Sequence, residues 1–224
     1  MRPHWKQELV CLALVGLLAV GCGGLGVEPT ATPARPSPTH VRTTPTSIPS
    51  TAAPMARLDG RRALFVIYRR FEDNEYGVTR AILEELGVAA TVASLTTDVV
   101  EGMAGTEVQP DAVLADVHGA DYDAVIFVGG RGYQLDDPEG QRIAREAVAE
   151  GRVVAAICIA PLTLARAGVV EGKRVTTAVE PDVMEAAGAT VTFAGVERDG
   201  NIITANSPGG ARRFGEMIAV ALGE

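Results

Sequence analysis

Cys158 stands near the end of the run "RVVAAICIAP", residues 152–161. An apolar, β-forming run that meets a proline marks a strand passing into a helix. A cysteine on that turn has the placement of a nucleophile elbow. Helix-start amides there favour a thiolate and can donate to a developing oxyanion. The bland alternative is a packed thiol, because free cysteine is among the most buried residue types. From this run alone both readings stay open.

The cysteine count sharpens the choice. The chain holds three, at 11, 22 and 158. Cys11 and Cys22 fall in the N-terminal segment described below, which leaves Cys158 as the one thiol of the folded part, with no partner for an internal disulfide. A lone thiol in an exported protein is either buried and inert or kept for its reactivity. There is no CxxC pair, and His4, His40 and His118 are isolated, so neither a metal nor any other cofactor is expected. His118, in "DVHGAD", reads as a solvated loop residue. The glycines of "VGGRGYQ" follow a strand but lack the third glycine of a dinucleotide fingerprint. The acids of "LDDPE" read as capping and solvating groups.

Elements to position Cys158 can be read from the hydrophobic pattern. "RALFVIY" (62–68), "YDAVIFV" (122–128) and "RVVAAI" (152–157) are continuous apolar runs, which suit strands covered on both faces. Helical patterns separate them. Residues 75–86 place Val78, Ile82 and Leu86 on one face, with Gly87 as a stop. Asp137 and Pro138 open a second helix that Gly151 ends, and Ser207 and Pro208 open a third. "AATVASL" (89–95), "KRVTTAV" (173–179) and "TVTFAGV" (190–196) read as further strands, and "VERDGNIITAN" as a hairpin turning at Asp199-Gly200. Residues 98–118 read as either a small hairpin or a loop excursion. The alternation predicts a three-layer α/β/α sandwich on a mostly parallel sheet, with ligands outside the carboxyl ends of the strands.

The first 59 residues have a different character. Arg2 and Lys6 precede an unbroken apolar or glycine run over 9–21, and Cys22 follows at once. That layout is a secretory signal, and "LLAVGC" is similar to a bacterial lipobox in which the cysteine is lipidated. The alternative is a retained anchor, with the apolar run extended to Val27. Residues 27–57 carry seven Pro and ten Ser or Thr in 31 positions, a composition that cannot bury enough apolar surface to offset its ordering entropy. The organisation expected is a signal over 1–21, lipidated Cys22 and an extended tether over 22–59, and a folded domain over 60–224. The domain would then sit on the extracytoplasmic side of a bacterial membrane. With 20 Lys and Arg against 28 Asp and Glu, the formal charge is −8. That balance argues against nucleic acid as a partner and against electrostatic docking to anionic lipid.

Four stretches together, "FEDNEYGVTRAILEELG", "VIFVGGRGYQ", "EGRVVAAICIAPLTLARAGVVEGKRVTT" and "ITANSPGGARRFGEMIAVAL", resemble the ThiJ/PfpI family, which includes the Parkinson-disease-associated protein deglycase and the PfpI-type proteases. The resemblance covers nearly all of 61–222. It implies a flavodoxin-like fold related to the class I glutamine amidotransferases, and a homodimer. It implies Cys158 as the nucleophile and Glu75, twelve residues before Gly87, as the carboxylic acid that hydrogen-bonds the thiolate and lowers its pKa. Glu72 matches a second acidic position, whose plainer role is a charge at a helix start. The amides of Gly130 and Ile159 match the oxyanion donors.

The departures are as informative. Ile159 stands where PfpI-type proteases carry histidine, and Gln134 where they carry an acid, so proteolysis is disfavoured. Ala178 stands where the deglycase branch has its histidine. Two readings follow. One is a cysteine-dependent catalyst on small reactive carbonyls, with Glu75 moving the proton. The other is a non-catalytic thiol module: a redox sensor, a protective protein or a ligand-binding domain, with an oxidant or small ligand as its partner. For the anchor, wild-type protein expressed in a bacterium should incorporate labelled palmitate and Cys22→Ser should not. Equal labelling of the two would sink the lipid anchor.

Overall fold

A computed structural model describes residues 55–224; the expected signal, Cys22 and most of the expected tether lie outside the described residues. Five helices and eleven short strands follow in chain order. β1 (Arg62–Val66), α1 (Asp73–Glu85) and β2 (Ala89–Ser94) come first. A small excursion then holds β3 (Val100–Glu101), β4 (Glu107–Val108) and β5 (Ala112–Val113). β6 (Ala124–Phe127), α2 (Pro138–Ala149), β7 (Val153–Ile157) and α3 (Pro161–Arg166) form the middle of the chain. β8 (Arg174–Val175), α4 (Pro181–Ala186), β9 (Thr190–Val191), β10 (Val196–Asp199), β11 (Ile202–Ala205) and α5 (Ala211–Leu222) complete it.

The main sheet has the order β10-β11-β7-β6-β1-β2-β5. Every pairing in it is parallel except β10 with β11. The continuous apolar runs are explained by what covers each face. Ala63, Phe65 and Ile67 of the first run pack with Leu83, Phe214 and Ile218, on the side of α1 and α5. Leu64, Val66 and Tyr68 pack with Ile143, Ala144, Leu162 and Met184, on the side of α2, α3 and α4. A strand with both faces covered has no polar side to show, so alternation disappears and the run stays apolar. The mostly parallel sheet with helices on both faces is the sandwich expected from the sequence.

Several local expectations need correction. The buried stripe of α1 is Glu75, Tyr76, Thr79 and Leu83, not Val78, Ile82 and Leu86. Those three are only partly covered at the edge of the α1–α5 contact, while the stripe that faces the sheet contains a carboxyl and a hydroxyl that a hydrophobic pattern does not register. Residues 173–179 and 190–196 yield only the two-residue strands β8 and β9, which pair with each other outside the main sheet. The hairpin of β10 and β11 pairs Asp199 with Ile202, so its turn residues are Gly200 and Asn201. The last α-helix starts at Ala211; Pro208–Gly210 form a separate 3-10 turn, and Ser207 makes no side-chain cap bond. The excursion over 98–118 contains the hairpin β3–β4 and one 3-10 turn, and a second 3-10 turn follows at Gly119–Asp121.

Asp137 and Pro138 open α2 as expected, with Asp137 accepting from the amides of Glu139 and Gly140. His118 is exposed beside the Glu146 carboxylate and the Arg142 guanidinium. The residues just ahead of β1 also touch the fold: Leu58 is buried, and its amide donates to the Leu86 carbonyl at 2.7 Å. Among the described residues no helix is long and apolar enough to cross a membrane.

One glycine shows how closely the α2 layer is seated. Gly119 lies in a 3-10 turn, its amide donating to Glu146 Oε2 at 2.9 Å, and a Cβ built there would run into the Ile143 carbonyl oxygen and the Ala147 nitrogen. Backbone atoms in the middle of α2 cannot swing aside as a side chain can. Gly119→Ala should therefore destabilise the protein by about 1–3 kcal/mol, read as a lower denaturant midpoint at unchanged slope. An unchanged midpoint would show that α2 shifts freely on the sheet.

Candidate active site

The carboxyl ends of β1, β6, β7 and β11 meet at one edge of the sandwich. Cys158 follows the last residue of β7, and its backbone is left-handed, with φ +64°. For a residue with a Cβ this conformation costs on the order of 1–2 kcal/mol. It is held from both sides: the Cys158 amide donates to the Ala205 carbonyl at 2.8 Å, and its carbonyl accepts from the Ala178 amide at 3.0 Å. The chain thus extends the β7–β11 ladder by one residue, then turns sharply so that the side chain stands clear of the sheet. The thiol is half-buried.

The expected partner is in place. Glu75 lies in the first turn of α1 and is fully buried. Its Oε2 accepts from the Gly129 amide at 2.8 Å. A Cβ at Gly129 would lie 2.8 Å from both that oxygen and Cys158 Cβ. The carboxyl and the cysteine therefore close on the same backbone atom, and only glycine fits between them. Oε1, equally buried, has no partner of ordinary geometry; the thiol beside it is the group left to serve it. Glu72 also has a definite job. It precedes α1, and its Oε2 accepts from the Glu75 amide at 2.8 Å, so the helix-start role holds and the cap fixes the backbone of Glu75. Glu72 lines the pocket as well.

The Gly130 amide is left open by the backbone pairing around it. Phe71 and Gly130 form an isolated antiparallel bridge. Its hydrogen bonds run from Glu72 N–H to the Gly129 carbonyl (3.0 Å) and from Arg131 N–H to the Arg70 carbonyl (3.1 Å). Gly130's own N–H is therefore outside the ladder. Among the described residues, the amides of Gly130 and Ile159 donate to no protein oxygen, and the Ile159 amide bears on the Cys158 sulfur. These two donors, the thiol and Glu72 share a cavity of about 320 Å³ with Met103, Arg131, Val179 and Pro208. A larger hollow of about 430 Å³ beside Arg69 and Thr96 contains no thiol.

Burial sets the protonation of the pair. It pushes the Glu75 carboxyl up to about 7, against the pull of the Gly129 amide. It also pushes the Cys158 thiol up to about 11, with the Glu75 charge adding to the rise and the Ile159 amide opposing it. The resemblance implied a depressed thiol, and with Glu75 ionised the opposite holds. Protonating Glu75 removes the neighbouring negative charge and turns the carboxyl into a donor toward sulfur, so the two groups titrate as a pair. The histidine-based alternatives fail on geometry. Gln134 is exposed and its side chain donates to the Gly132 carbonyl, Ala178 offers only its backbone, and His118 sits on α2 through Glu146. Among the described residues no cluster could hold a metal ion.

Sequence reasoning missed the support behind the Gly-Gly turn. Tyr68 donates to Asp137 Oδ2 at 2.8 Å, Tyr133 Oη lies 3.0 Å from Thr163 Oγ1, and the two rings meet edge-on at 4.9 Å. Asp137 thus caps α2 and anchors β1 at once, a second role that "LDDPE" does not reveal. Met103, Val179 and Pro208 were also missed, since nothing local marks a wall residue brought in from a distant loop. Arg131 carried a faint signal: it directly follows the turn that supplies the oxyanion amide.

The raised Glu75 pKa has a consequence for stability. In the unfolded chain this carboxyl ionises near 4.5, whereas in the fold it keeps its proton up to about 7. Its contribution is therefore full below pH 4.5 and is lost as pH rises toward 7. Wild-type stability should fall across that window by up to about 3 kcal/mol relative to Glu75→Gln, measured by denaturant unfolding at each pH. Parallel profiles would overturn the assignment.

The family model described as DJ-1/PfpI matches residues 61–221. An uncharacterised protein of Methanocaldococcus jannaschii is 36% identical over 158 residues, which is 68% of this chain and 77% of that protein. The deglycase PfpI of Pyrococcus furiosus is 32% identical over 152 residues, 66% of this chain and 91% of its own. The crystal structure of a ThiJ/PfpI domain protein from Brachyspira murdochii matches with a TM-score of 0.70 at 27% identity, over 75% of this chain and 98% of that one. The matched span contains Glu72, Glu75, Gly130, Cys158 and Ile159, and with it the whole cavity. The chain belongs to the DJ-1/PfpI family.

Proposed function

We propose that this protein is a cysteine-dependent catalyst acting on small reactive carbonyls, 2-oxoaldehydes in particular, held at the outer face of a membrane by lipid on Cys22. The observation that carries the reading is the left-handed backbone of Cys158. A cysteine that only packs has no use for it, whereas a nucleophile at a strand end needs the sharp turn. The deglycase names of relatives near 30% identity support the same chemistry.

The steps follow from the groups present. Glu75, as carboxylate, takes the Cys158 proton while sulfur attacks the aldehyde carbon. The carbonyl π pair moves to oxygen, where the Gly130 and Ile159 amides receive it. Glu75 returns the proton to that oxygen, giving a hemithioacetal. It then removes the proton from the former aldehyde carbon and hands it to the ketone oxygen, giving an enediol. Next it takes the hydroxyl proton of the sulfur-bearing carbon and delivers a proton to the neighbouring carbon, leaving a thioester beside a hydroxyl. Water cleaves the thioester, releases a 2-hydroxy acid and restores the thiol. A single carboxyl pushed up to about 7 is matched to taking and giving protons at neutral pH. No histidine is needed, and no proteolytic triad can be assembled.

The absence of histidine from the cavity supports a second reading, a thiol module that is oxidised without turnover. The two separate cleanly. Purified wild type should convert methylglyoxal to lactate, Cys158→Ser should fall to the uncatalysed rate, and Glu75→Gln should lose about 10²–10⁴-fold. Equal turnover by wild type and Cys158→Ser removes the enzyme reading. If Cys158 gains two oxygens under mild peroxide while no carbonyl turns over, the sensor reading takes its place.

A further inference from the structure

The cavity walls are mostly apolar, with one cation among them. Met103, Ile159, Val179 and Pro208 form the apolar side, and Arg131 and Glu72 supply the charges. Glu72 is partly committed, since its Oε2 holds the Glu75 amide. Arg131 is not. Among the described residues its side chain makes no ion pair and no hydrogen bond, while most other described arginines lie in ion pairs.

Arg131 also has a fixed relation to the reacting atoms. It follows the oxyanion donor Gly130 directly, and its own amide is pinned to the Arg70 carbonyl at 3.1 Å. The turn that presents the Gly130 N–H therefore also presents the guanidinium, one residue away. Arg69 and Arg70, next to this turn, are exposed and likewise without ion pairs among the described residues. Arg70 keeps a left-handed backbone, φ +58°, which glycine would adopt without strain. A chain with formal charge −8 thus places one unpaired arginine in the wall of its thiol cavity, with Arg69 and Arg70 close to the same turn. Such a patch sets the local field and selects what enters.

We propose that the preferred substrate carries a carboxylate: a 2-oxoaldehyde with a carboxylate a few bonds from the reacting carbonyl, its acid held by Arg131 and its short apolar middle lying against Met103, Ile159 and Val179. A single guanidinium pairs a carboxylate through two parallel hydrogen bonds. Arg69 and Arg70 steer the anion without touching it. The proposal rests on the carbonyl reading for the reacting group, but the anion preference belongs to the thiol cavity itself and can be measured without turnover.

The test uses full-length protein at low salt, with alkylation of Cys158 followed by mass spectrometry. Iodoacetate is the anionic probe and iodoacetamide the neutral one. Both attack the thiolate, so the ratio of their rates cancels any change in thiol pKa. The ratio should fall about 5-fold in Arg131→Gln, fall further in Arg131→Glu and be largely kept in Arg131→Lys. Arg131 is exposed, and an unchanged iodoacetamide rate checks that the cavity is intact. In turnover, the preference in kcat/KM for 4,5-dioxopentanoate over methylglyoxal should drop by the same factor. A ratio unmoved by Arg131→Gln and Arg131→Glu overturns the anion site, even if methylglyoxal is turned over. A ratio that moves while neither carbonyl is consumed keeps the anion site and removes the catalytic reading.

Discussion

The site depends on a point of contact where there is no room for a side chain. At Gly129, β6 has just ended, and the Cys158 Cβ and the Glu75 carboxyl close on the same backbone atom, each 2.8 Å from where a Cβ would stand. The Gly129 amide is used as well, donating to Glu75. A hydrogen bond from the main chain of one strand thus sets the carboxyl, and the missing side chain sets how close the thiol can come. Any larger residue would separate acid from sulfur.

The rest of the fold keeps those three groups in register. Parallel pairing of β6 with both β1 and β7 brings their carboxyl ends to the same edge, so the loops carrying Glu72, Gly130 and Cys158 meet there. α1 is pressed onto the sheet by Tyr76 and Leu83 and backed by α5, where Gly215 lets Thr79 and Ile82 come close. Burial of that helix face is what places a carboxyl out of water. The same burial that raises its pKa, a cost in folding, leaves it able to exchange a proton near neutral pH. Stability and chemistry draw on one cause here.

How much of this the sequence discloses varies with the physics behind each feature. The main sheet was legible because doubly covered strands must be apolar throughout, and runs such as 62–68 cannot hide that. α2 was legible because Asp137 and Pro138 are strong start signals. The inner stripe of α1 was not, since Glu75 and Thr79 are polar and the outer edge of the helix is the more hydrophobic one. Short β8 and β9 were over-read because β-branched residues such as Thr176 and Thr177 were counted as strand, while in the fold their hydroxyls bind loop carbonyls. Within the site, Cys158 was visible from its strand–proline setting, but Glu75, Glu72 and Gly130 rested on family resemblance. With Glu75 ionised, the thiol pKa is raised, the opposite of what the resemblance implied. The resemblance supplied the hydrogen bond, but desolvation, which depends on the walls, could not be read from spacing.

The left-handed turn at Cys158 also shapes how this protein can change. Glycine would accept that backbone without steric strain, so Cys158→Gly would relieve the turn itself while losing the side chain's packing and abolishing any thiol chemistry. The cysteine therefore occupies a position where thermodynamic drift and reactivity pull in opposite directions. A lineage that no longer used the thiol would be released from the need to hold a side chain on this left-handed turn.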